Sequence, residues 1–94
     1  MKIEGIVWLR DIVSKIAFKH HVETHEVEEV LHGKPEFRLV QRGRRTGENV
    51  YLALGQTDSG RYLSVLFIYK KTQEALILSA RDMAQRERKY YGRK

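Results

Sequence analysis

The sequence predicts an α+β fold: two N-terminal helices, an antiparallel sheet of three to four strands and a C-terminal helix, in one domain spanning residues 1–94. Three observations predict it. Apolar residues recur every three or four positions up to about residue 32. Between residues 37 and 79 they alternate or run together. The links between those runs are short and bear glycine, as in a meander of antiparallel strands.

Each element follows in order. Ile3–Trp8 can add a short strand in front. Leu9, Ile12, Val13, Ile16 and Ala17 share one helical face, with Arg10, Asp11, Ser14, Lys15 and Lys19 on the other. Lys19-His20-His21 breaks that pattern. A second helix carries Val27, Val30 and Leu31 on one face. Its early turns hold Glu23, Glu26, Glu28 and Glu29, where acid complements the helix dipole. Gly33 and Pro35 end it, so the two helices form a tight αα-hairpin. Phe37–Gln41 and Val50–Leu54 then alternate as strands around the turn at Arg42–Gly47. After the turn at Gln56–Gly60, Arg61–Tyr69 reads as a central strand buried on both faces. Lys70–Gln73 turns again into Glu74–Ser79. Ser79-Ala-Arg-Asp82 has the spacing of a capping box, so the last helix is expected from about Asp82 to Tyr91. Met83, Ala84, Glu87 and Tyr90 would cluster on one side of it. The helices are expected on one face of the sheet.

The chain carries 18 Lys and Arg against 12 Asp and Glu, a net charge of +6. An excess of this size in a small domain points to an anionic partner, most often nucleic acid. The excess is uneven. Residues 10–32 hold three cations and five anions, residues 34–48 five cations and two anions, and residues 81–94 six cations and two anions. Cations near Tyr62, Tyr90 and Tyr91 can pair phosphates while a ring stacks on a base. There is no cysteine, which excludes disulfides, thiolate zinc sites and a Cys nucleophile. No signal peptide is evident, and the longest apolar run, Leu63–Tyr69, is too short for a membrane span. The expected setting is the cytoplasm, with no membrane partner.

Candidate chemistry narrows by elimination. His21 and His25 have the spacing of a zinc-protease pair, but Val22 stands where that motif needs Glu, so no metal is expected. No Gly-x-Ser-x-Gly elbow and no phosphate-binding Gly-x-x-x-x-Gly-Lys occurs, and no cofactor is expected. Phosphodiester cleavage by the RNA's own 2′-hydroxyl is compatible with the residue types present. It needs a base, an acid and a cation on the phosphate, which His, Glu, Lys and Arg supply.

Three segments together resemble the BrnT family of bacterial type II toxins. The first is Trp8 followed by Lys19-His20-His21-Val22 and the acidic stretch Glu23–Leu31. The second is Leu54-Gly-Gln-Thr-Asp-Ser-Gly-Arg-Tyr-Leu63. The third is Ile77-Leu-Ser-Ala-Arg-Asp-Met-Ala-Gln-Arg-Glu-Arg-Lys-Tyr90. They lie in register over about residues 6–91. The resemblance implies a fold similar to RelE and ParE toxins and a metal-independent endoribonuclease that cuts mRNA and inhibits translation. It implies a ribbon-helix-helix antitoxin as partner beside the RNA substrate, and a dimer or a hetero-oligomer with that antitoxin. By position, the catalytic candidates are His20, Lys19, Arg61, Arg81 and Glu87, and the RNA-binding candidates are Arg86 and Tyr90. Arg61 and Arg81 would hold the scissile phosphate, with His20 as acid or base. Arg81 at the start of the last helix would oppose the dipole there, a cost that implies a salt bridge or a phosphate contact. The family commonly has Asp after Trp8, then Lys and Asn along the first helix, and a glycine after Lys-His. Here those places are Leu9, Ile12, Ile16 and His21. The alternative reading is therefore a catalytically inactive basic module that binds nucleic acid or antitoxin.

Overall fold

A computed structural model describes residues 1–92; Arg93 and Lys94, the last cations of the basic C-terminal segment, lie outside the described residues. The elements in chain order are β1 (Gly5–Val7), α1 (Arg10–His20), α2 (Thr24–His32), β2 (Glu36–Gln41), β3 (Asn49–Gln56), β4 (Tyr62–Tyr69), β5 (Glu74–Asp82) and α3 (Gln85–Gly92). The described strands form one sheet in the order β1-β5-β4-β3-β2. The α+β class and the element order match the expectation; the strand count rises to five. The meander β2 to β5 is antiparallel, but β1 pairs parallel with β5, Gly5 opposite Glu74 and Val7 opposite Leu76. The sheet is therefore mixed rather than purely antiparallel. Without β1 the β5 edge would present unpaired backbone groups to solvent.

One face of the sheet carries the core. Leu63, Val65 and Phe67 of β4, Ala53 of β3, and Ala75, Ile77 and Ala80 of β5 are buried against Ile16, Val22, Val27, Val30 and Leu31. Small residues let the helices approach. A Cβ on Gly55 would lie 3.0 Å from Val30 Cγ1 and 3.3 Å from Pro35 Cβ. Phe67 meets Phe37 edge-on and stacks with Tyr51, each with ring centroids 6.0 Å apart. Trp8 Nε1 donates to Glu28 Oε2 at 3.2 Å, tying the segment before α1 to α2.

The opposite face differs from expectation. β4 is not buried on both faces: Leu66 and Ile68 are only half-buried. Nor do all helices share one face. α1 and α2 cover the core side, whereas α3 lies on the other side, where Glu87 meets Ser64 and Arg81.

The last helix also starts later than the capping-box spacing suggested. β5 continues to Asp82, with Arg81 opposite Ser64 and Asp82 opposite Leu63. Met83 N–H then donates to Tyr62 O at 3.1 Å. These ladder bonds claim the backbone that a helix at Asp82 would need, so Ser79 sits mid-strand opposite Leu66. Glu87 takes the capping role, its Oε1 accepting from Ala84 N–H at 2.8 Å. Arg81 therefore belongs to β5 rather than to the helix, yet its guanidinium meets the start of α3 through Glu87, the salt bridge that the sequence cost implied.

Three of the positions that depart from the pattern expected above fall on α1 and its caps. Leu9 is its N-cap and makes no side-chain cap bond. An Asp there would accept from the first turn. Ile16 is wholly buried and packs in the core. His21 closes the helix at φ 55°, ψ 37°, with its N–H on Ala17 O and that of Val22 on Ile16 O. Left-handed backbone favours glycine. Leu9→Asp and His21→Gly should each raise the unfolding free energy by about 1 kcal/mol. Urea denaturation checks this, and unchanged midpoints would contradict the account of these ends.

Candidate active site

The sheet end formed by the start of β4 and the end of β5 gathers the charged residues. Strand alternation sends neighbouring side chains of β5 to opposite faces. Asp82 goes to the helical face and Arg81 to the open face, so two clusters form back to back.

On the helical face, Arg61 is the hub. Its Nε donates to Asp82 Oδ1 at 2.7 Å and Nη2 to Asp82 Oδ2 at 3.3 Å. Nη1 reaches His21 O at 2.7 Å and Glu26 Oε1 at 3.2 Å, and Nη2 reaches His20 O at 3.0 Å. All five N–H donors are engaged. The Arg61 pKa is raised, chiefly by the hydrogen bond to Asp82, against an opposing effect of burial. The Asp82 carboxyl is held below its usual range by that same bond, with the charges of His20 and His21 adding to it. The His20 side chain makes no hydrogen bond among the described residues and is half-buried at the end of α1. Lys19 beside it is exposed.

On the open face, Arg81 and Glu87 form a bidentate pair. Nη1 lies 2.8 Å from Oε1 and Nη2 lies 3.0 Å from Oε2. Arg81 Nη1 also donates to Asp82 O at 3.0 Å, and Ser64 Oγ donates to Glu87 Oε2 at 3.4 Å. Glu87 is 12% exposed and Arg81 43%. Burial pushes the Glu87 carboxyl up, but the bonds from Arg81 and Ala84 outweigh it and hold the group below its ordinary value. Glu87 is thus an ionised anchor. Arg81 keeps Nε–H and one Nη2–H without a partner among the described residues.

The structure therefore brings Arg81 and Glu87 together, and Arg61 to the backbone of His20. It does not bring Arg61 and Arg81 onto one phosphate position. Arg86 is exposed on the first turn of α3. Tyr90 lies under the Arg38 guanidinium, 4.8 Å from its ring centroid. Arg88 covers Tyr62 at 4.1 Å, and Tyr62 meets Tyr91 edge-on. A recess of about 630 Å³ opens there, lined by Lys34, Glu36, Tyr62, Arg88 and Tyr91. Sequence reasoning missed Arg38, Arg88, Ser64, Glu26 and Asp82. Asp82 carries a signal, an acid directly after Arg81, which the capping-box spacing with Ser79 masks. Among the described residues no three His, Asp or Glu are placed to hold a metal ion.

With this geometry in place, comparison with known proteins is decisive on the family. The family described as the ribonuclease toxin BrnT of type II toxin-antitoxin systems matches residues 14–87. The chain belongs to the BrnT family. The sequence matches no curated protein. The solved structure of the Brucella abortus ribonuclease toxin BrnT is similar in fold, with a TM-score of 0.59 at 16% identity. The match covers 89% of this chain and all of that one, and at this identity it speaks to the fold. Within this BrnT-family chain, the family match ends at Glu87, the residue that fixes Arg81. No described helix is long and apolar enough to cross a membrane.

The depressed carboxyl of Glu87 makes a signed prediction. Its contribution to stability is fully present above its ordinary value of 4.5 and is lost as pH falls through the lower folded-state value. Glu87→Gln should therefore flatten the fall of the thermal midpoint below about pH 4.5. A variant with the same acid slope as wild type would refute this.

Proposed function

We propose that this protein is the toxin of a type II toxin-antitoxin system, a metal-independent endoribonuclease that cuts mRNA and so inhibits translation in the cytoplasm. One observation carries the assignment of roles. Arg81 is half exposed, fixed by Glu87, and retains two N–H donors without a partner among the described residues, whereas Arg61 has none left. Arg81 is thus the guanidinium fitted to the scissile phosphate. Arg61 becomes a positioning residue that sets the His20–His21 corner.

In the proposed reaction, water on the open face takes the proton of the RNA 2′-hydroxyl, because the His20 corner lies with Arg61 on the helical face, across the sheet from Arg81. The 2′-oxygen attacks phosphorus, and Arg81 stabilises charge on the non-bridging oxygens. The bond to the 5′-oxygen breaks, and that oxygen takes a proton from water. The products are a 2′,3′-cyclic phosphate and a 5′-hydroxyl. Glu87 acts through Arg81. Arg86 and Tyr90, beside Arg38 and Arg88, lie on α3, where they serve the flanking strand. The resemblance to BrnT toxins supports a ribbon-helix-helix antitoxin as partner, in a dimer or hetero-oligomer.

A second reading, a basic module that binds RNA without cutting it, is favoured by the burial of Ile16 where the family pattern has Asn. It predicts salt-dependent RNA binding with no new RNA ends.

Arg81→Ala should lower RNA cleavage by about 100-fold while the protein stays folded. Arg61→Ala should instead cost about 2 kcal/mol or more of stability, because it strands two carbonyls and Glu26. Cleavage assays paired with thermal melts separate the two. A fully folded Arg61→Ala that cuts as poorly as Arg81→Ala would return the phosphate contact to Arg61.

A further inference from the structure

At the end of the sheet away from His20 and Arg81, two loops meet. The β2–β3 loop brings Arg42, Arg44 and Arg45 against the β4–β5 turn with Lys70 and Lys71. They line a cleft of about 470 Å³. All five side chains are exposed, and none forms a salt bridge among the described residues. Two carboxylates stand at these loops, Glu48 in the β2–β3 loop and Glu74 at the start of β5, and each accepts a hydrogen bond from a neighbour. Glu48 Oε1 accepts from Arg45 N–H at 2.9 Å, and Glu74 Oε1 accepts from Thr72 Oγ1 at 2.8 Å.

The cleft is built rather than incidental. Gly43 N–H donates to Asn49 Oδ1 at 2.9 Å. A Cβ on Gly43 would lie 2.3 Å from that of Glu48, so only glycine fits this fold of the loop. Gly47 has φ +86°, and a Cβ there would lie 2.8 Å from Lys71 N. That contact seats the arginines beside the lysines. Tyr51 and Tyr69 also line the cleft, packed edge to face at 6.2 Å, so part of its lining is aromatic.

We propose that this cleft is a second anchoring site for single-stranded RNA, gripping backbone phosphates distant from the cut. Five cations that lack acidic partners keep their charge and their hydrogen-bond donors for an external polyanion. Cations lining a groove beside aromatic rings are the usual means of holding a single strand without reading its sequence. β4 runs between the two ends with eight residues, about 25 Å at ~3.3 Å per residue. Tyr51 and Tyr69 lie on the helix-covered face and Arg81 on the other, so only an RNA long enough to pass around the sheet edge reaches both. The proposal rests on the ribonuclease reading for the identity of the anion, and its test separates the two.

The test uses the full chain and the triple variant Arg44→Ala/Arg45→Ala/Lys71→Ala. Binding of a labelled RNA of about 20 nucleotides is followed by fluorescence anisotropy across a salt series, and cleavage is followed on that RNA and on a tetranucleotide. Affinity for the long RNA should fall by about tenfold or more, and the log-log salt slope by about 2, or ~0.7 for each lost phosphate contact. Cleavage of the tetranucleotide should not change, because it cannot span both ends. Unchanged RNA affinity and salt slope would overturn the proposal. So would a loss confined to polyglutamate, which would mark the cleft as a seat for an acidic protein. A wild type that binds with the expected slope but cuts neither RNA would sustain the cleft and remove the ribonuclease reading.

Discussion

The arrangement of this molecule depends on one guanidinium. Arg61 sits just before β4 and joins three parts that the chain order keeps apart: the α1–α2 corner, the first turn of α2 and the end of β5. Its side chain is 26% exposed, so its charge is partly desolvated, and that cost is offset because every donor has a partner. Two of those partners are carbonyls at the end of α1, where helical backbone leaves acceptors unmet. Apolar packing alone would hold α1 and α2 on the sheet. It would not fix where His20 and His21 stand relative to Asp82.

From that clamp the division of the sheet end follows. Asp82 belongs to the Arg61 cluster and Arg81 to the Glu87 pair, and one peptide separates them. The two clusters are mechanically linked, since Arg81 Nη1 also holds Asp82 O. The charge surplus divides likewise. Part of it lies around α3 and part in the far cleft, while the helical pair over the core is acidic. A polyanion is steered to the ends and the open face rather than to the helices.

Much of the fold was legible in the sequence because local patterns and tertiary packing agree there. The 3–4 spacing of Leu9 to Ala17, the acid-rich start of α2 and the glycines at Gly47 and Gly60 each specify a local geometry. The boundary between β5 and α3 was not legible. Ser79 and Asp82 have capping-box spacing, yet the ladder with β4 outcompetes a local cap. The parallel pairing of β1 was also hidden, because a three-residue strand owes its place to the open edge of β5, not to its own pattern. For the candidate site, the residue types were readable and their grouping was not. Arg61 and Arg81 read as equivalent cations. In the fold one is saturated and the other retains donors.

By itself the sequence determined the class, the element order, the family and the uneven charge, all of which depend on spacing and composition along the chain. Tertiary structure alone decided which charges remain available to a ligand. A guanidinium's partners are set by strand register and by which face a side chain takes, and both are relations between segments distant in sequence. That is why Arg61 became a clamp, Arg81 a half-exposed fork, and five loop cations a single cleft.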